Sequence, residues 1–170
     1  VCSTDLISAL DTEQIAALKD TQSKGLTGSQ LGALSTDALQ ALTTQAVRGL
    51  STSALDQLPT ESVPALYTSQ VAVLTTAQIR ALGSDGIAAL NVEQFGALAT
   101  TQLRALATAQ VAAINADDLG AMGTRGLRAL NSLQIAALGS DLIAALSTAQ
   151  LASLTSQQLA GLQDRKSTRL

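Results

Sequence analysis

The chain has 170 residues: 46% are apolar, 1% aromatic and 14% charged, with a formal net charge of −3. There is no His, the only Cys is Cys2, and seven of the ten basic residues are scattered singly through the first 128 positions. This composition excludes an imidazole-based triad or metal site, an internal disulfide, a Cys-based metal cage and a basic patch for nucleic acid. No apolar run approaches the ~18 residues of a membrane span. The chain starts on Val1 rather than Met, so its natural N-terminus is expected to lie elsewhere.

A period of eight runs from residue 3 to residue 162. Stepping by eight from Leu10 through Leu18 and Leu26 to Leu162 meets 20 apolar positions, of which 18 are Leu and two are Ile114 and Met122. Three residues earlier, a second column from Ile7 and Ile15 to Leu159 is apolar in 19 of 20 units and fails only at Ser23. The seventh position is Ala in 14 units, the second is Thr or Ser in 16, and the fourth is Gln in 11. The consensus x-[TS]-x-Q-[LIV]-x-A-L is seen at Thr75 to Leu82 (TTAQIRAL) and Ser147 to Leu154 (STAQLASL).

Apolar positions three apart, with Ala, Leu and Gln around them, predict helix. The β-branched residues at the fifth position leave a β-solenoid as the alternative. One long helix is excluded, because an apolar stripe repeating every eight residues drifts by roughly 80° per unit. Pro59 and Pro64 would also break it. The expected element is therefore one helix of about six residues per octad, too short to stand alone and so packed on its neighbours. The fold class is all-α: a solenoid of very short helices over residues 3–162, with two or three octads per coil. Ile79, Leu82, Ile87, Leu90, Phe95, Leu98, Leu103 and Leu106 are expected in the core, and Ala at the seventh position lets backbones approach.

The second position, as at Thr76, Thr108 and Thr148, is expected to supply the N-cap. Gly83, Gly123, Gly139, Asn91, Asn115 and Asn131 at the first position are expected to close helix C-termini in the left-handed region. A capping box from the first position, Ser147 with Gln150, is the alternative.

Charges carry a second period. Acids at the third position fall 24 apart at Glu13, Asp37, Glu61 and Asp85, and again at Glu93, Asp117 and Asp141. Bases at the sixth position follow at Lys24 and Arg48, then at Arg80, Arg104 and Arg128. Three octads per coil would stack these charges in columns; duplication of a 24-residue block would give the same series without geometric meaning. Pairs eleven apart, such as Glu93 with Arg104 and Asp117 with Arg128, also result.

No catalytic, cofactor-binding or metal-ligating residue is expected. Asp117 and Asp118 are neighbours that a helix points apart. Gly83 to Gly86 (GSDG) lacks the Lys of a phosphate loop and reads as a linker. Cys2 has no base to activate it. Phe95 reads as a local enlargement of the core and Tyr67 as an exposed linker residue.

The octad resembles the tandem LTTAQ[IV]AAL-type arrays of large bacterial proteins, many of them predicted to be secreted or surface-associated. The resemblance covers residues 3–162 and implies an extracellular or cell-surface segment of something larger, with no catalytic residue to carry over. The expected function is a non-catalytic spacer or stalk, with no cofactor, nucleic-acid partner or small-molecule substrate. A binding scaffold for protein or glycan, or an ice- or crystal-binding Thr face, are the alternatives. Residues 163–170 leave the pattern, and Arg165 to Leu170 (RKSTRL) resembles translated sequencing-adapter read-through, so this tail is expected to be disordered or artefactual.

Overall fold

The structure is a computed structural model that describes residues 7–167, with side chains placed as far as residue 162. Cys2 and the side chains of the tail therefore lie outside the described residues. Among the described residues every regular element is helical. Most helices hold four to six residues, for example Thr36–Ala41, Thr44–Gly49 and Thr100–Ala105.

An octad typically spends four to six residues on helix and the remainder on a corner. The eighth residue is commonly extended, as at Leu106 (φ −56°, ψ 135°). The first residue of the next octad is extended too, as at Thr75 (φ −70°, ψ 161°). Octad 59–66, which holds both prolines, forms the 3-10 helix Thr60–Ala65 with Pro59 at its N-cap.

The first position, not the second, supplies the N-cap. The side chains of Asp11, Ser35, Thr43, Thr75, Asn91 and Asn131 accept a hydrogen bond from the backbone N–H three residues on. Thr76, Thr108 and Thr148 instead open the helix itself and are exposed. Asn91, Asn115 and Asn131 are these caps and sit in the extended region, not the left-handed one. Gly139 (φ −65°) is extended as well.

Only Gly83 (φ 66°) and Gly123 (φ 60°) take the positive φ expected of them. There the corner tightens and helix follows helix: within Ala116–Ala129 the non-helical Gly123 (φ 60°, ψ −171°) kinks the chain between two short helices. The GSDG stretch is accordingly no linker, because Gly83–Ala88 is a helix. A Cβ on Gly86 would stand 3.0 Å from Leu82 Cβ, and one on Gly126 would stand 1.9 Å from Met122 Cγ. At these two corners the eighth-position side chain of the preceding octad fills the space that a fourth-position side chain takes elsewhere, which explains Gly at that place.

Three octads make one coil. Thr12–Ala16 packs on Thr36–Ala41, which packs on Thr60–Ala65, and so on through Gly83–Ala88, Thr108–Ala112, Ser132–Ala137 and Ser156–Ser167. Each step is 24 residues. These octads form the first side of a three-sided solenoid. The octads that follow them (19–26 to 139–146) form the second side, and the octads from 27–34 to 147–154 the third. The last helix, Ser156–Ser167, runs past Leu162 into the segment read as lying outside the repeat.

The core is built mainly from the two predicted columns, joined by Ala38, Ala46, Ala54 and Ala129. All eight residues named above are buried, Ile79 and Ile87 completely. Position five faces the following coil: Leu103 is 2% exposed under the next coil, while Leu151, in the last one, is 49% exposed. Ser23, the one polar residue of this column, is buried and donates through Oγ to the carbonyl of Ala46 in the next coil (2.8 Å). Gly49 explains the close approach there, since a Cβ on it would lie 2.3 Å from the carbonyl oxygen of Asp20.

Candidate functional site

The fourth position holds the most connected side chains in the chain. Gln70, Gln78, Gln94, Gln102, Gln110 and Gln134 are all buried. The sequence pattern marks this position as polar and places it outside the core. Helix starts expose unpaired N–H groups and helix ends expose unpaired C=O groups. One Gln per corner satisfies both kinds. Gln102 Oε1 accepts from the N–H of Ala99 (2.7 Å), and Nε2 donates to the carbonyls of Val71 (3.0 Å) and Leu74 (2.8 Å) in the coil below.

The same contacts join Gln70 to Leu39 and Leu42, and Gln134 to Leu103 and Leu106. Gln110 shows the effect of the tightened corner, reaching Ile79 and then Gly83. The glutamine half of the capping box persists where the first side chain makes no capping hydrogen bond, as at Tyr67, Ala99 and Ala107. Tyr67 is exposed at such a corner, and Phe95 is 1% exposed in the core.

Asp118 stands where this ladder calls for Gln. It is 1% exposed. Its Oδ2 accepts from the N–H of Asn115 (3.3 Å), while Oδ1 is buried with no hydrogen-bond partner. By the ladder's spacing, a Gln here would donate to the carbonyls of Ile87 and Leu90; a carboxylate presents them with an acceptor instead. Burial raises the Asp118 pKa above the ordinary carboxylate value, opposed by the hydrogen bond from Asn115 and reinforced by the neighbouring Asp117 charge. Asp117 is exposed, so the two acids do not share a site.

The surface consists mainly of positions one, two, three and six. The acids Glu13, Asp37, Glu61 and Asp85 are exposed on stacked helices of the first side. Arg80, Arg104 and Arg128 are exposed on stacked helices of the third. Among the described residues, the pairs eleven apart form no ion pair. A column of Thr52, Thr76, Thr100, Thr124 and Thr148 also climbs the third side. Among the described residues, no group of His, Cys, Asp and Glu could hold a metal ion, and no helix is long and apolar enough to cross a membrane.

The chain is thus a short-helix solenoid built from a tandem octad. The family model for the ALTTAQ repeat matches residues 63–100 and 111–148, and these stretches of the array are similar to that repeat. No curated protein matches the chain.

Proposed function

We propose that the chain is a passive structural array, a spacer or stalk segment of a larger bacterial secreted or cell-surface protein, with no catalytic activity. The observation that carries this reading is the use of the buried polar groups. The glutamines that could line a site are spent joining one coil to the next. Among the described residues, the helices and short corners leave no long loop on which a site could be built. The extracellular setting rests on the resemblance to arrays of large bacterial surface proteins.

Repeat arrays lengthen by adding units. Appending three-octad blocks should extend the rod by about 8–10 Å each, the usual distance between packed helices. Small-angle scattering on a series of such chains tests the spacer, and a compact particle that fails to lengthen overturns it. Turnover, or saturable micromolar binding of a metal or small molecule by the chain, overturns the passive reading.

The Thr column of the third side favours a second reading, docking to a repetitive solid surface, because its hydroxyls take no part in capping. The arginines of the same side place charge beside that column, which suits such a surface less well. Absence of any effect on ice-crystal growth removes this reading.

A further inference from the structure

The edge where the third side turns into the first differs from the other two. The sixth position of a third-side octad lies in the last helical turn before this edge. The third position of the next octad lies in the first turn after it. Both border the same surface: Arg104 and Arg128 line an open depression together with Ser132 and Gln157, which are second- and third-position residues of the first side. Along this edge the coils present Glu13, then Asp37, then Asp56 with Glu61, then Arg80 with Asp85, then Arg104, then Arg128. All are exposed, and among the described residues none makes an ion pair within the chain.

The edge is therefore acidic in its first half and basic in its second, with the change of sign at the corner of Leu82 and Gly83. At the third and sixth positions the neighbouring edges are of one sign each, although Lys19 stands at a corner between the first and second sides. Lys24, Arg48 and Arg125 border the edge from the second side to the third, and Glu93, Asp117 and Asp141 border the edge from the first to the second.

We infer that this edge is a self-complementary docking surface for a second copy of the chain, antiparallel about a two-fold axis at the Leu82 and Gly83 corner. A two-fold contact needs one patch that complements itself. Both charge series repeat once per coil, so their spacings match without adjustment. The register that sets the Leu82 and Gly83 corner against its own copy lays the coils of Glu61 and Asp37 along those of Arg104 and Arg128 of the other copy. The acidic half of each edge then runs along the basic half of the other, and each such match occurs twice. The tightened corner at Gly83 suits the axis, since nothing lies within 4 Å of where a Cβ would stand.

Exposed ion pairs are individually weak and are screened by salt, so the dimer forms at high protein concentration and dissolves as ionic strength rises. Sedimentation equilibrium of the full chain tests it, in roughly 0.01 M salt, where charges act over about 30 Å, and in roughly 1 M salt, where they act over about 3 Å. The mass should climb from the 17.2 kDa of one chain towards twice that value in low salt only. The Arg80→Glu, Arg104→Glu, Arg128→Glu triple variant should stay monomeric. Adding Asp37→Arg, Glu61→Arg and Asp85→Arg to it should restore the dimer.

Orientation has its own readout. In a Cys2→Ser background, Ser84→Cys, near the axis, should oxidise to a covalent dimer in low salt, and Thr148→Cys, far from it, should not. A monomer at every concentration in low salt overturns the inference. So do a dimer indifferent to charge reversal, open-ended growth in place of a closed pair, or self-association seen only on adding an anionic polymer such as heparin.

Discussion

Gln78 Nε2 lies 2.9 Å from the carbonyl oxygen of Leu50, a residue 28 positions earlier in the chain. The same nitrogen meets the carbonyl of Val47 at 2.9 Å, and Oε1 takes the N–H of Thr75 at 2.8 Å. Gln78→Ala leaves all three backbone groups without these partners. Losing buried partners costs about 1–3 kcal/mol. Gln14 has the same sequence role but is exposed, with only its capping bond to the N–H of Asp11. Urea midpoints should fall clearly for Gln78→Ala and much less for Gln14→Ala. Equal effects would mean that the bond across coils contributes nothing.

The cap position separates two adjacent threonines. Thr75 Oγ1 accepts from the N–H of Gln78 at 3.2 Å, whereas Thr76 is exposed on the first helical turn. Thr75→Ala should cost about 0.5–2 kcal/mol, the usual loss for a capping Thr, and Thr76→Ala much less. Thermal melts of the two variants decide it, and the reverse order would return the cap to the second position.

Asp118→Gln should stabilise the chain. It completes the ladder and removes the unpartnered Oδ1, a change of about 1–3 kcal/mol near neutral pH. The folded-state pKa of Asp118 is raised above the ordinary value, so the native state favours the protonated acid. The native protein therefore has the full contribution of this group below the unfolded-state pKa and loses it as pH rises through the folded one. The gap between variant and parent should accordingly be smaller in acid and widen above about pH 4, the ordinary carboxylate range. A gap constant with pH would show that Asp118 does not titrate in the core.

Equivalent leucines should differ by place in the stack. Leu103→Ala, under the next coil, should cost about 2–5 kcal/mol as a cavity. Leu151→Ala occupies the same octad position in the last coil, where the side chain is half exposed, and should cost far less. Chemical denaturation of both variants measures the difference, and equal losses would mean that the end coil is covered after all.

The octad was legible because each residue type does one local job. Leu106, Leu103 and Ala105 announce helix, core and close approach by spacing alone. The cap was misread for a related reason. Thr is more uniform at position two, yet only position one stands three residues before Gln, the spacing at which side chain and backbone can exchange bonds. The charge columns were legible only as an alternative, since two octads per coil would have scattered them. The Gln ladder was hidden further. Its partners lie 28 and 31 residues back, and which residues those are depends on the number of octads per coil, a quantity set by packing.

That number makes deletions diagnostic. Removing residues 91–114 takes out three octads, one whole coil. Octad 115–122 then follows 83–90, every later octad keeps its side, and Gln134 takes over the Ile79 carbonyl that Gln110 held. The chain should fold with unchanged helix content per residue, lower stability and a shallower urea slope, because less surface is exposed on unfolding. Removing residues 107–114, a single octad, also preserves the repeat but turns every later octad by one side. The core and ladder survive, while Arg128 no longer stacks on Arg104. Removing residues 107–110 leaves half an octad, so position five of that unit falls where a corner is needed, and Val111 meets no core. Hydrogen exchange should then show lost protection from the corner at Leu106 through the next coil, with the first coils still protected. Three variants that unfold equally would show that the octad is not the unit of folding.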